Sequence, residues 1–145
     1  MIRVKERYQK GSVQVPLQKL DMKGIRSCVD FYQERLNIVK DVLVTFKCKE
    51  YYLDNKVAVT FDNKATGGIS IHVFVNRHTI ERCVFLALAH ELVHAHQLDN
   101  GKDVSEEEAD KVGLTLCRDY YSSLDNAADV HRIELELILC RAYIN

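Results

Sequence analysis

The chain has 145 residues, 47% of them hydrophobic and 28% charged, with a net charge of −1 at pH 7. That balance excludes a disordered or fibrous class and allows one domain, residues 1–145, with a continuous core. No run of about 18 apolar residues occurs, which excludes a helical membrane span. Residues 1–10 are charged and lack the apolar stretch of a secretory signal, so a cytoplasmic location is expected.

The charge is uneven along the chain. Residues 1–26 carry seven Lys or Arg against two acidic residues, whereas 99–145 carry eleven acidic residues against five basic ones. The basic start has neither interleaved aromatics nor a recognition-helix pattern, so a solvated surface is favoured over a nucleic-acid contact. Five Cys stand at 28, 48, 83, 117 and 140, with no C-x-x-C pair. An odd number of unpaired thiols fits reduced side chains, and Cys83, Cys117 and Cys140 sit in apolar helical surroundings as core fillers. A Cys nucleophile would need a His partner of its own.

After an N-terminal segment containing the single proline, Pro16, the pattern of Ile25, Cys28, Val29, Phe31, Tyr32, Leu36 and Ile38 predicts a helix over 24–39. Strands are predicted at 42–46, continuing into 47–49, at 57–61 after a turn at Asp54-Asn55, and at 69–75, entered through Gly67-Gly68. They read as an antiparallel meander, with His72 as a structural or surface side chain. The next helix spans the apolar run 83–98, with Thr79 as a candidate cap and Asn100-Gly101 as its stop. Ser105 and Glu108 form a capping-box pattern opening a helix over 106–122, and after a break at 124–126 a last helix covers 129–143. Helix, strands, then three helices make an α+β domain.

The chemistry concentrates at His90-Glu91-Leu92-Val93-His94, an H-E-x-x-H sequence inside the apolar helix. Residues four apart share a helix face, so the two imidazoles can hold one metal ion, while Glu91 lies beside it as a general base for a water. The competing reading is two core imidazoles satisfied by hydrogen bonds. Burying two imidazoles and a carboxylate is costly without compensation, which favours the metal. A catalytic zinc needs a third protein ligand and an open position. Glu106, Glu107 and Glu108 follow on the next helix, where acidic residues also favour the helix dipole and commonly face water.

HELVHAHQ followed by EEEAD resembles the zincin metallopeptidases, and among them the gluzincins, including the small ImmA/IrrE-type peptidases. The resemblance covers residues 90–117. It implies a zincin-like α+β fold, in which an N-terminal helix and an antiparallel sheet pack on the active-site helix, followed by C-terminal helices. It implies one Zn2+ per chain, held by His90, His94 and a Glu of the following helix. Glu108, directly before Ala109-Asp110, matches the Glu-Ala-Asn/Asp pattern of the small members and is the first candidate. Glu107 and Glu106 are the alternatives. Glu106-x-x-x-Asp110 matches a spacing of larger gluzincins in which the Asp orients a His ligand. The link from His94 to Glu108 is shorter than in those larger proteins, so a tight turn is expected. Gln97 and Asn100 stand where metzincins carry Gly and His. The SprT-like peptidases use a third His, but His96 is turned about 200° from His94 and reads as a rim or hydrogen-bonding residue.

The expected activity is zinc-dependent hydrolysis of peptide bonds, with Glu91 moving the proton and Tyr120, Tyr121 or His131 as candidate donors to the developing oxyanion. A strand beside the active-site helix binds extended peptide in zincins, and 69–75 either does so by backbone pairing or is an internal strand. A protein or peptide is the expected partner, with no nucleic acid and no membrane; nothing in the sequence sets an oligomeric state. Two other readings stand beside this one: a non-catalytic binding or regulatory module on the same scaffold, and a metal-dependent hydrolase of another amide.

Overall fold

The computed structural model describes residues 2–6, 20–48, 57–75, 79, 81–124 and 139, with the backbone alone at Lys5, Glu6 and Cys48. The elements run β1 (Ile2–Glu6), α1 (Met22–Leu36), β2 (Val42–Cys48), β3 (Ala58–Asn63), β4 (Gly68–Val75), α2 (Glu81–Asp99) and α3 (Glu106–Leu124). The helix expected over 129–143, and His131 within it, lies outside the described residues except for Leu139.

Local chemistry sets the ends of α1. The Asp21 carboxylate accepts from the Gly24 N–H at 3.0 Å, which caps the start and draws it ahead of the expected residue 24. Asn37 adopts the left-handed region, φ 52°, and its N–H donates to the Gln33 carbonyl, which stops the helix before the expected residue 39. Between the caps, Ile25, Cys28, Val29, Tyr32 and Leu36 form one buried stripe.

The domain is α+β, but the sheet is mixed rather than an antiparallel meander. Its strand order is β1-β2-β4-β3. β1 pairs parallel with β2, β2 parallel with β4, and β3 antiparallel with β4. Burial explains the order. In β4 the residues Ile69, Ile71, Val73 and Val75 are each no more than 1% exposed, a demand met by a central strand paired on both sides. β3 exposes Phe61 and Asp62 and takes the edge, so β4 stands where a meander would put β3. β1 escapes the sequence reading because it is five residues long and three of the five are charged.

One face of the sheet packs on α1 and α2. Val42, Val44, Phe46 and the four β4 residues join Ile25 and Val29 of α1 and Leu88 and Leu92 of α2 in a single core cluster. α2 is buried nearly all round from Cys83 to Gln97, as a helix clamped between a sheet and other helices must be. It ends in a Schellman turn: Gly101, at φ 64°, donates its N–H to Leu98, and Lys102 donates to Gln97. The last α2 side chain, Asp99, accepts from the Val39 and Lys40 N–H groups at 2.9 and 3.0 Å, tying the helix end to the turn before β2.

α3 then folds back along α2. A Cβ built on Gly113 would lie 3.0 Å from both N and Cα of His90, so only glycine allows the two backbones to approach this closely. The short 100–105 link is the tight turn expected from the spacing. No described helix is long and apolar enough to cross a membrane.

Candidate metal centre

The close approach at Gly113 brings the first turns of α3 over the polar stripe of α2. His90 and His94, one helical turn apart, put their Nε2 atoms 3.2 Å from each other. Glu106 reaches both: Oε2 lies 3.1 Å from His90 Nε2 and Oε1 lies 3.0 Å from His94 Nε2. The imidazoles are 13% and 8% exposed while the Glu106 side chain is 72% exposed, so the cluster sits at the protein surface on a buried base.

The far side of each ring is also held. His90 Nδ1 lies 3.2 Å from Oδ1 of Asp110, and His94 Nδ1 lies 2.9 Å from Oε1 of Gln97. Glu106 and Asp110 are four residues apart on α3, so they meet the two ends of one imidazole ring. An ionised carboxylate and an amide oxygen only accept, so both Nδ1 atoms carry hydrogen. In the neutral rings the two Nε2 lone pairs then point at one another and at the Glu106 carboxylate. Three acceptors converge with no donor among them, and a cation or added protons must satisfy them.

The dimensions suit a small divalent cation. Nitrogen and oxygen ligands around a tetrahedral zinc lie about 3.3 Å apart, given metal–ligand distances of about 2.0–2.1 Å. The two imidazole nitrogens lie 3.2 Å apart, each has a different oxygen of Glu106 at 3.0–3.1 Å, and one ligand atom from each residue lies within 4.8 Å of the others. His90, His94 and Glu106 form the only group of three metal-ligating side chains so arranged among the described residues.

Glu91 stands beside this group, buried on the side towards β3. The Thr60 hydroxyl donates to its Oε2 and lies 3.2 Å from its carbonyl oxygen. Burial pushes the Glu91 carboxyl above its ordinary range. The Thr60 hydrogen bond and the two imidazoles pull it down, and Glu106 pushes it up.

Several expected placements change. Glu108, the first candidate for third ligand, faces Gln97 instead: its Oε1 accepts from Gln97 Nε2 at 3.2 Å, and its backbone N–H donates to Ser105 Oγ at 3.2 Å. As the third helical residue it is pinned by the cap, which turns it away from the imidazoles. Glu107 is exposed and pairs with Lys111 at 3.0 Å. Tyr120 and Tyr121 are not at the cluster. They lie fourteen and fifteen residues beyond Glu106, roughly 21 Å along an α-helix. Tyr120 packs among Phe31, Tyr32 and Phe85 with its hydroxyl 3.4 Å from the Gly24 carbonyl, and Tyr121 packs on Phe85 under Arg82. His96 lies 3.2 Å from Asn100 Nδ2, and His72 packs edge-on against Phe61. Cys28, Cys83 and Cys117 are buried and in no disulfide, and burial pushes the Cys28 thiol well up, which disfavours its thiolate.

β4 is paired on both sides, so the backbone-pairing role considered for 69–75 has no free edge there. The edge near the cluster belongs to β3. Gln97 and Thr60 are the site residues that sequence reasoning missed. Gln97 carried one signal, its position three residues after His94 on the same helix; Thr60 carried none, because strand order brings it in. Comparison with family models, with curated proteins and with solved structures finds no match to this chain.

Proposed function

We propose that this chain is a zincin-type, zinc-dependent peptidase, with His90, His94 and Glu106 as metal ligands and Glu91 as general base. The observation that carries the reading is the convergence of three acceptors, each imidazole locked with its Nδ1 hydrogen facing away. Zinc bound there supplies Lewis acidity and lowers the pKa of a coordinated water towards ~7.

The chain's own residues do the rest. Glu91 takes the proton of the attacking water on its carboxylate and returns it to the leaving amine. Its burial keeps bulk water from competing for that proton, and Thr60 holds the carboxylate beside the ligands. Asp110 keeps His90 in the tautomer that offers Nε2.

A peptide suits the neighbouring strand. Phe74 N–H donates to the Val57 carbonyl at 2.8 Å, which sets the alternation of the β3–β4 ladder. The backbone groups of Val59 and Phe61 then face β4, and those of Ala58, Thr60 and Asp62 face away from it. An extended chain pairing with them runs past Glu91, whose carboxylate the Thr60 side chain holds.

The test is hydrolysis of a mixed peptide library by zinc-loaded wild type and Glu91→Gln. Cleavage by wild type, and none by a variant that still binds zinc, supports the reading. Equal cleavage by Glu91→Gln removes the general base. A zinc-loaded wild type that binds library peptides and releases them intact favours the non-catalytic module.

A further inference from the structure

Gln97 is 1% exposed, yet it carries one of the most polar side chains in the core. All of its hydrogen-bonding capacity is used. The Ser105 N–H can only donate and the Ser105 carbonyl can only accept, which sets the orientation of the amide. Oε1 accepts from Ser105 N–H at 3.2 Å, and Nε2 donates to the Ser105 carbonyl at 3.1 Å. The second amide hydrogen goes to Glu108 Oε1 at 3.2 Å. The remaining lone pair of Oε1 faces His94 Nδ1 at 2.9 Å. An amide oxygen cannot donate, so His94 Nδ1 carries the hydrogen and Nε2 keeps its lone pair.

Ser105 is the residue immediately before α3 and caps it through the Glu108 N–H. Glu106, the next residue, reaches both imidazoles. The backbone carbonyl of Gln97 also accepts from Lys102 N–H at 2.9 Å, in the turn leading to Ser105. One side chain therefore touches a ligand imidazole on α2 and both backbone groups of the residue that launches the ligand carboxylate on α3.

We propose that Gln97 is a positioning residue that couples the tautomer of His94 to the placement of Glu106, so that two of the three ligands are set together before an ion arrives. This rests on the metal reading above. Losing the amide frees both at once: His94 becomes able to carry its hydrogen on Nε2, where it blocks the site, and the 102–105 turn loses its anchor on α2. Residues that orient metal ligands commonly change affinity by about 10- to 100-fold when replaced.

The experiment combines zinc affinity, by chelator competition, with 15N NMR of the His94 ring in zinc-free protein at pH 8. Wild type is expected to show the Nδ1–H tautomer without metal. Gln97→Leu is expected to lose that preference and to bind zinc about 10- to 100-fold more weakly while retaining its helical circular dichroism. Gln97→Glu keeps the acceptor for His94 but no longer donates to Ser105. It is expected to keep the Nδ1–H tautomer, to exchange the Ser105 and Glu106 amide hydrogens faster, and still to bind zinc more weakly. An Nε2–H tautomer in zinc-free wild type overturns the proposal, and this measurement needs no variant to fold. So does a folded Gln97→Leu with wild-type zinc affinity. A wild type that takes up no zinc overturns the metal reading itself, a result distinct from a zinc-binding wild type whose Gln97 variants are unaffected.

Discussion

Replacing Gly113 with Ala sets two effects of opposite sign against each other. In a helix interior, Gly is less favourable than Ala by about 1 kcal/mol, so the change stabilises α3 where space allows. Here the new methyl meets His90 N and Cα at 3.0 Å and the Ala89 carbonyl carbon at 3.4 Å. Contact between carbon atoms is best at about 3.5–4.0 Å, so the helices must separate by roughly half an ångström. All three contacted atoms are backbone of α2, which is buried between the sheet and the other helices and cannot yield locally. Overpacking of this kind costs about 1–3 kcal/mol. Set against the helix gain of about 1 kcal/mol, the net is a loss of about 1 kcal/mol, or a Tm lower by about 2–4 °C for a chain near this size. The separation opens the level of His90 and Asp110, so zinc affinity falls as well. Differential scanning calorimetry of zinc-free protein, with chelator competition for the metal, checks both. A higher Tm for Gly113→Ala would mean that the helices do not pack at this distance and that α3 does not carry Glu106 to the imidazoles in this way.

Other outcomes follow from the same contacts. Asp110→Asn keeps an acceptor for His90 but loses the charge that supports its Nδ1–H, and chelator competition should show zinc affinity lower by about tenfold. Asp99→Ala removes the acceptor of two backbone N–H groups, and urea unfolding should show a loss of about 1–2 kcal/mol with an unchanged slope. The raised Glu91 carboxyl binds its proton more tightly in the folded state than in the unfolded one. In zinc-free protein, stability therefore falls as pH rises from the unfolded carboxyl value of about 4.3 through the folded one. Zinc-free Glu91→Gln should be more stable than zinc-free wild type at pH 7.5, with a smaller advantage at pH 5. An equal advantage at both pH values would contradict that origin.

The elements that the sequence makes legible are those defined by local pattern. The α2 helix declares itself through its apolar run and its His-Glu-His spacing, because both are periodic within one element. The start of α3 is likewise local: Ser105 caps it as its spacing to Glu108 predicts. Only half of the capping box forms, however, because Glu108 turns its carboxylate to Gln97 instead of back to Ser105 N–H. That choice hands the imidazoles to Glu106. The four-residue spacing of Glu106 and Asp110, matched to that of His90 and His94, is the signal that favours Glu106. Strand order is not local. Alternation marks 42–49 and 69–75 as strands, but only the competition for burial puts β4 between β2 and β3 and leaves β3 at an edge of the sheet among the described residues. Thr60 becomes a partner of Glu91 through that placement. Tyr120 and Tyr121 look available in sequence because a later helix can fold back over a cleft, yet a straight helix carries them away from the cluster.

The most direct measurement is zinc content by elemental analysis of wild type, Glu106→Ala and Glu108→Ala after incubation with zinc and desalting. The expected result is about one zinc per wild-type chain, close to none in Glu106→Ala, and retention in Glu108→Ala. Loss in Glu108→Ala with retention in Glu106→Ala would transfer the ligand role to Glu108. No zinc in wild type would mean that the converging acceptors are held by protons, and the metal centre would fall.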